Sequence, residues 1–494
     1  MLIFALHKLN NQHKSLLMNF FEITQTISDY VWGWPMIILL LGTHIFLTFR
    51  LRVPQRKIFT AIKLSVSKDK DSTGDVSQFA ALATSLAATI GTGNIIGVAT
   101  AVSLGGPGAV LWCWLTGIFG IATKYSEGLL AIKYRVKTSD GNMLGGPMYA
   151  LERGLGQKWL AVLFCLFTAV AAFGIGNSVQ ANAISENFIM LLNDNSIVAN
   201  ATSWLNNAMS LNFEPRFYLS IIMGILVMTL VGVVIIGGVK SIGRICSALV
   251  PFMAVLYVLG CLYILCINYQ YVWDAICLIC SEAFSMKAGM GGAAGTAIMM
   301  GARYGIARGL FSNESGMGSA PIVAAAARTK NPVRQALVSS TGTFWDTVVV
   351  CAMTGLVLTT SILAYPEINF HDGGLLTKKA FGMIPYVGTP ILTFGILTFA
   401  FSTILGWSYY GERAMEYLAG KRSIRFYRIA WLIVCFIGCV MSLGVVWNVA
   451  DIMNAMMALP NLVALLLLSG VIARETKHYL WNGNLDQEAP EETT

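Results

Sequence analysis

Apolar residues run along this chain in long blocks separated by short polar and basic connections. Eleven blocks approach or exceed the roughly 20 residues that a helix needs to cross a bilayer. They lie at 32–50, 78–103, 108–132, 159–190, 217–238, 243–267, 291–327, 336–362, 388–411, 426–446 and 451–473. The first is the shortest, its apolar part bounded by Pro35 and Leu51, and its alternative is an amphipathic helix lying in the interface. Two blocks are interrupted by polar and glycine-rich residues, SLAATIGTGNIIGV at 85–98 and ARGLFSNESGMGSAPIV at 307–323. A break in a helix frees N–H and C=O groups that hydrocarbon cannot satisfy, so it persists only where protein, water or a ligand completes them. A matched pair of breaks predicts a transporter's binding site.

Composition agrees with the block pattern. Hydrophobic residues make up 56% of the chain, charged residues 12%, and the mean hydropathy is +0.66, against about 25% charged residues in a soluble domain. The fold class read from this is an all-α polytopic membrane protein with about eleven spans. Basic residues test that count independently, because cationic loops stay on the cytoplasmic side. Connections after odd-numbered blocks hold 24 of the 33 lysines and arginines, from Arg50 to Lys70, Lys133 to Lys158, Lys240 with Arg244, Arg328 to Arg334, Arg413 to Arg428, and Arg474 with Lys477. This separation predicts an external N-terminus and a cytoplasmic C-terminus in a plasma or inner membrane. The net charge of +8 is then loop chemistry and requires no nucleic acid.

Residues 1–30 carry Lys8, Lys14, Glu22 and Asp29 among short apolar stretches, so no cleavable signal peptide is expected. The ten cysteines lie mostly within apolar blocks and read as packing residues. Cys277 and Cys280 form one CxxC without a second pair or a nearby histidine, so no metal is expected there. The tail LDQEAPEETT reads as solvated and disordered.

The blocks repeat. Gly106-Pro107 and Asn331-Pro332 each open the helix after a broken one. Arg216-Phe217-Tyr218 recurs as Arg425-Phe426-Tyr427, and Pro251 recurs as Pro460 at the same offset. Five spans per unit is an odd number, which turns the second unit over and gives inverted repeats with a site between them near the midplane. The expected domains are an N-terminal segment at 1–77 with an extra span, repeats at 78–267 and 268–473, and a cytoplasmic tail at 474–494.

Four stretches carry a family resemblance: SLAATIGTGNIIGVATAVSLGGPGAVLWCW from residue 85, GGPMYALERGLG at 145–156, GLFSNESGMGSAPIVAAAA at 309–327 and GWSYYGERA at 406–414. They resemble the alanine or glycine:cation symporter family over nearly the whole chain. The resemblance implies a leucine-transporter-like five-plus-five inverted repeat with one additional N-terminal helix. It also implies sodium-coupled, sometimes proton-coupled, import of alanine or glycine.

Candidate site residues follow from the chemistry of a small zwitterion, which needs donors for its carboxylate, acceptors for its ammonium and a pocket that rejects larger side chains. Gly91, Thr92, Gly93 and Asn94 supply backbone N–H groups and side-chain polarity at the start of a half-helix, whose positive end suits an anion; close helix packing is the alternative use of these glycines. Ser312, Asn313, Glu314 and Ser315 form the densest polar cluster inside any block, with carbonyls and hydroxyls for the ammonium or a cation. Glu314 is costly in a membrane unless paired, protonated or near water. Arg303 and Arg308 are its expected structural partners, and a part in proton or sodium handling is the other reading. Gln180 and Trp407 are placed as cavity-lining residues, with Phe173, Gly174 and Gly176 beside Gln180. Ser402 and Thr403 resemble, by position, the sodium ligands on the eighth core helix of the leucine-transporter fold. Thr89 and Gly91 are expected to complete that site, although each hydroxyl also has the option of its own i−4 carbonyl.

Weaker candidates are Asp346, Asp451 as a helix N-terminal charge, and Lys124 with Glu127 as an i,i+3 pair near the cytoplasmic end. An intramembrane enzyme is disfavoured, since none of the five histidines stands beside a GxSxG serine or in HExxH, and no Walker A sequence is present. A channel usually assembles a symmetric filter from several chains. The expectation is therefore a secondary symporter with no catalytic residues and no organic cofactor. Sodium is the expected coupling ion, with a proton the alternative, and the partners are a small neutral amino acid, sodium and the lipid bilayer.

Overall fold

A computed structural model describes all residues except 1–10, 68–72, 193–195, 210–213, 285–293, 370–372, 374, 442–443 and 490–494. We label the helices of the expected blocks α1 (Trp34–Arg50), α2 (Gln78–Thr89 and Gly93–Gly105), α3 (Ala109–Lys133), α4 (Lys158–Leu192), α5 (Pro215–Ile236), α6 (Gly238–Ile267), α7 (Ala294–Asn313), α8 (Pro332–Ala364), α9 (Gly388–Ala419), α10 (Ser423–Val440) and α11 (Gly444–Leu467). Local chemistry sets several starts. Ser77 caps α2 by accepting from Ala80 N, and Asn331 caps α8 by accepting from Arg334 N with Pro332 in its first turn.

Among the described residues, eight helices are long and apolar enough to cross a membrane, and the two halves of α2, bent by 51°, make a ninth. The expected eleven exceeds this by the blocks at 108–132 and 291–327. The reason is physical. Helix α3 has 25 residues, ample length for a bilayer at ~1.5 Å per residue, but it carries Lys124 and Glu127 buried against protein. Helix α7 ends in the polar break after Asn313. Most of the described side chains of both helices are buried against neighbours or half-buried, with Trp114, Ile118 and Met300 exposed. The outer helices show the reverse pattern: α5 exposes Leu230, Val233 and Ile236, and α6 exposes Phe252, Val255 and Leu259, as lipid-facing surfaces require.

Helix α1 buries Leu40, His44 and Leu47 and packs on α3, so it is part of the bundle and not an interfacial segment. It follows a helix, Asn11–Val31, and together they give an apolar stretch at Phe21–Arg50. Pro251 and Pro460, the repeated prolines, each lie inside their helices, α6 and α11. Helix α11 begins at Gly444, which places Asp451 inside it and not at its start. Helices Ser196–Met209, Tyr269–Phe284 and Leu375–Gly382 fill connections that the sequence pattern leaves plain.

The tail is a further difference. Residues 477–481 continue as helix, Asn331 Nδ2 donates to the carbonyls of Leu485 (2.8 Å) and Gln487 (2.9 Å), and Arg334 pairs with Asp486. Asparagine and arginine at the α8 start hold the tail in place as far as Ala489, whose N–H reaches Lys330 O at 2.9 Å.

Candidate functional site

The first break rearranges the hydrogen bonds of α2 by substituting side chains for backbone. In an uninterrupted helix Gly91 N and Thr92 N would donate to the carbonyls of Ala87 and Ala88. Here Gly91 N donates to Asn94 Oδ1 at 2.9 Å and Thr92 N to Gln180 Oε1 at 3.4 Å. One carbonyl so released, Ala87 O, meets α9, as does Ile90 O, whose helical donor Asn94 N turns to Gly91 O at 3.2 Å. Ser402 Oγ donates to Ala87 O at 3.2 Å and Thr403 Oγ1 to Ile90 O at 3.4 Å, while each hydroxyl also reaches Phe399 O of its own helix at 2.9 Å. Thr89 turns its hydroxyl to Ser85 O and Leu86 O in its own helix. A Cβ on Gly91 would stand 2.6 Å from Thr403 Oγ1 and 3.5 Å from Gln180 Oε1, so these three predicted residues meet at one point. Hydroxyls and unwound carbonyls together form an oxygen-rich set suited to a hard monovalent cation.

The second break, 314–320, is held open by left-handed backbone at Glu314 (φ 54°), Gly316 (φ 90°) and Gly318 (φ 84°). Ser315 N is capped locally by Asn313 Oδ1 at 2.9 Å. Ser315 Oγ lies 3.0 Å from Thr343 Oγ1 of α8, and both residues thus stabilise the break from behind. Ser312 faces the other way and donates to Asp346 Oδ2 at 3.0 Å. Asp346 of α8 also accepts from Asn94 Nδ2 at 2.7 Å and Thr347 Oγ1 at 2.7 Å. One fully buried carboxylate therefore joins the two breaks. Asp346 is only a weak candidate by sequence, although an acid within an apolar span is itself a signal of function.

Glu314 is paired, but with neither expected arginine. Its Oε1 accepts from Trp407 Nε1 at 3.0 Å and its Oε2 from Ser319 Oγ. Arg303 instead reaches Asp29 at 3.5 Å, and the Arg308 guanidinium lies 5.8 Å from the Phe311 ring. Lys124 and Glu127 are buried in α3 and are not a peripheral pair: Glu127 Oε1 accepts from Gly316 N, Gly318 N and Asn461 Nδ2 at 3.0, 3.0 and 2.7 Å.

A cavity of about 450 Å³ runs from Thr92 and Gly93 past Arg308 and Phe311 to Met190, Leu375 and Lys378, on the side away from the basic connections. Gly93 closes its floor against Phe311 and Ser312, at 3.5 and 3.8 Å from a Cβ position. Gln180 and Trp407 lie behind this floor and do not line the cavity. Trp407 is fully buried, with its Cβ 2.2 Å from where a Cβ on Gly176 would stand, so the glycine is what admits the indole. On the basic side the chain entering α2 is zipped to the chain leaving the second break. Asp75 N donates to Ala326 O and Arg328 N to Val76 O, both at 2.8 Å. Arg135 donates to Ala327 O at 2.9 Å and Ala325 O at 3.2 Å.

Trp407→Ala removes the ring beneath the floor, and the expected result is competition for uptake by amino acids with larger side chains, read from an inhibition panel. An unchanged panel would place the size filter elsewhere.

Two broken helices meeting at a buried polar centre, with a vestibule among the described residues on one side, define a secondary transporter that works by alternating access. The comparisons with known proteins agree. The sodium:alanine symporter family model matches residues 18–493, and the chain belongs to that family. The sodium/alanine symporter AgcS of Methanococcus maripaludis is 50% identical over 472 residues, covering 94% of this chain and 98% of that protein. The probable sodium/glutamine symporter GlnT of Bacillus subtilis is 35% identical, covering 93% and 90%. The putative sodium/proton-dependent alanine carrier YrbD, also of Bacillus subtilis, is 32% identical, covering 93% and 92%. Among solved structures, that of MhsT in complex with L-phenylalanine superposes with a TM-score of 0.56 at 14% identity, over 82% of this chain and 98% of that one. The fold is thus leucine-transporter-like, with five-plus-five inverted repeats and the extra helix α1.

Proposed function

We propose that this protein imports a small neutral amino acid, alanine and/or glycine, together with sodium. The repeats at 78–267 and 268–473 move against each other, with the N-terminus outside and the segments 1–77 and 474–494 accessory to them. The observation that carries this reading is the pairing of α9 hydroxyls with carbonyls that the first break releases. Sodium at this point takes oxygens from Ala87, Ile90, Ser402 and Thr403, beside Gly91 and close to the Thr89 of the sequence reading. It holds the first half of α2 against α9, and so fixes Gly91, Thr92, Gly93 and Asn94 at the positive end of the second half, where a carboxylate displaces Asn94 Oδ1 and Gln180 Oε1 from Gly91 N and Thr92 N. The ammonium lies toward Ser312 and the end of α7. Asn313, Glu314 and Ser315 shape that end, and Gln180 and Trp407 support from behind the floor that limits the side chain to a methyl group or less.

Because sodium and amino acid both stabilise one arrangement of α2, each raises the affinity for the other by the same factor. In proteoliposomes, radiolabelled alanine accumulates under an inward sodium gradient and does not accumulate when potassium replaces sodium. Uptake that follows only an imposed proton gradient overturns the sodium assignment. Ser402→Ala removes one oxygen ligand, worth about 1.5 kcal/mol, and raises the sodium concentration for half-maximal uptake about tenfold. A wild-type sodium dependence in that variant would remove Ser402 from the site.

The zip on the basic side is the closed inner gate in this reading. Arg135→Ala frees two carbonyls and loosens it, so a single cysteine introduced at Ala326 gains reactivity toward an impermeant thiol reagent applied from the inner face. Equal labelling with and without Arg135 contradicts the gate.

A further inference from the structure

Behind the second break, two helices and the break itself bring four titratable groups into one buried cluster. Helix α3 supplies Lys124 and Glu127, each 2% exposed; α1 supplies His44, 0% exposed; and the break itself supplies Glu314, 3% exposed. Glu127 is fixed by the two glycine N–H groups and Asn461, which itself also donates to Gly316 O at 2.8 Å. His44 Nδ1 lies 2.8 Å from Thr123 Oγ1. Three atoms of the cluster are buried with no hydrogen-bond partner among the described residues: Lys124 Nζ, Glu127 Oε2 and His44 Nε2. Lys124 lies three residues before Glu127 on α3, and Glu127 holds the N–H of Gly316, two residues after Glu314.

The other groups facing this place are accounted for. Tyr410 of α9 presents a neutral phenol, and Asp346 of α8 is held by its own three donors on the substrate side. Two carboxylates and one ammonium leave the cluster with one net negative charge, in a region where an uncompensated charge is strongly disfavoured. Glu127 accepts three N–H donors on a single oxygen, which suits an ionised carboxylate. A second cation on His44 would face the Lys124 ammonium.

We propose that this cluster is a proton site, with Lys124 as a resident cation and Glu314 as the group that gains and loses the proton. The proton goes to Oε2, where the resulting O–H donates to Ser319 Oγ; the balance is one proton taken up from solution and one carboxylate neutralised. The position matters because Glu314 Oε1 holds the Trp407 indole. Loss of the proton sharpens that hydrogen bond and gain weakens it, which links proton occupancy to the wall beneath the amino-acid pocket. The extra helix α1 acquires a role here, since it covers the cluster and contributes His44. This inference rests on the sodium-driven uptake proposed above.

The test is the pH profile of sodium-driven alanine uptake in proteoliposomes, with equal pH on both sides from 5 to 9. The wild type is expected to change with a limiting slope of one proton. Glu314→Gln and Glu127→Gln each make the cluster neutral without an added proton, and both flatten the profile at whatever rate they retain. Lys124→Met removes the resident cation, so two protons are needed and the slope doubles. A purely structural role lowers the rate in all three variants and leaves the slope unchanged. A wild-type profile that is flat while sodium-driven uptake is intact overturns the proton site alone. Absence of sodium-driven alanine uptake at every pH overturns the transport reading instead.

Discussion

Gly91→Ala is expected to abolish most sodium-driven uptake while leaving the protein folded. The new methyl group would lie 2.6 Å from Thr403 Oγ1, inside contact distance. Thr403 has little room to yield: it is β-branched in a helix, which restricts its rotamers, and its hydroxyl is held to Phe399 O and Ile90 O. Overpacking of this kind costs about 1 to 3 kcal/mol, or about 5- to 150-fold in an equilibrium. The clash falls where the cation oxygens converge, so the loss appears as weaker sodium dependence as well as a lower rate. Gly93→Ala is the control. Its methyl group meets nothing nearer than 3.5 Å, at Phe311, and uptake in this variant falls less. Equal losses in the two variants would detach the effect from Thr403.

The second large effect is at Asp346. Its carboxylate accepts from Asn94 at the first break and from Ser312 at the end of α7, besides Thr347. Asp346→Ala leaves buried donors on both half-helices unsatisfied, at about 1 to 3 kcal/mol each. These costs are not additive among neighbours, so the expected outcome is a loss of a few kcal/mol, seen as uptake reduced about 100-fold or more and a lower melting temperature in detergent. Asp346→Asn keeps one acceptor oxygen and the shape of the side chain, and its loss is smaller. Wild-type uptake in Asp346→Ala would show that the two breaks are not joined through this residue.

Much of the fold is legible in the sequence because membrane solvent imposes strict rules. Apolar blocks, basic connections and the repeated Pro251 and Pro460 suffice to order the helices. The first break is equally plain, since GTGN is a run that no lipid-facing helix tolerates. What the sequence conceals is pairing in space. Glu314 and Arg308 are six residues apart, yet the backbone at Glu314 is left-handed and sends its carboxylate to Trp407 on another helix. Lys124 and Glu127 look like an ordinary surface pair because their spacing carries no information about burial. The carbonyls of Ala87 and Ile90 leave no trace in residue type at all; they become ligand candidates only because Asn94 Oδ1 diverts Gly91 N from the first and Asn94 N turns from the second to Gly91 O. The tail at 474–489 reads as solvated on composition, and it is ordered by two residues, Asn331 and Arg334, more than 140 positions earlier in the chain.

The central claim is that sodium and amino acid complete one arrangement of the broken α2. It is tested most directly by the equilibrium binding of radiolabelled alanine to purified protein, in sodium and in potassium at equal ionic strength. Affinity at least tenfold higher in sodium, with alanine raising sodium affinity by the same factor, is the predicted result. Identical alanine affinity in the two salts contradicts it.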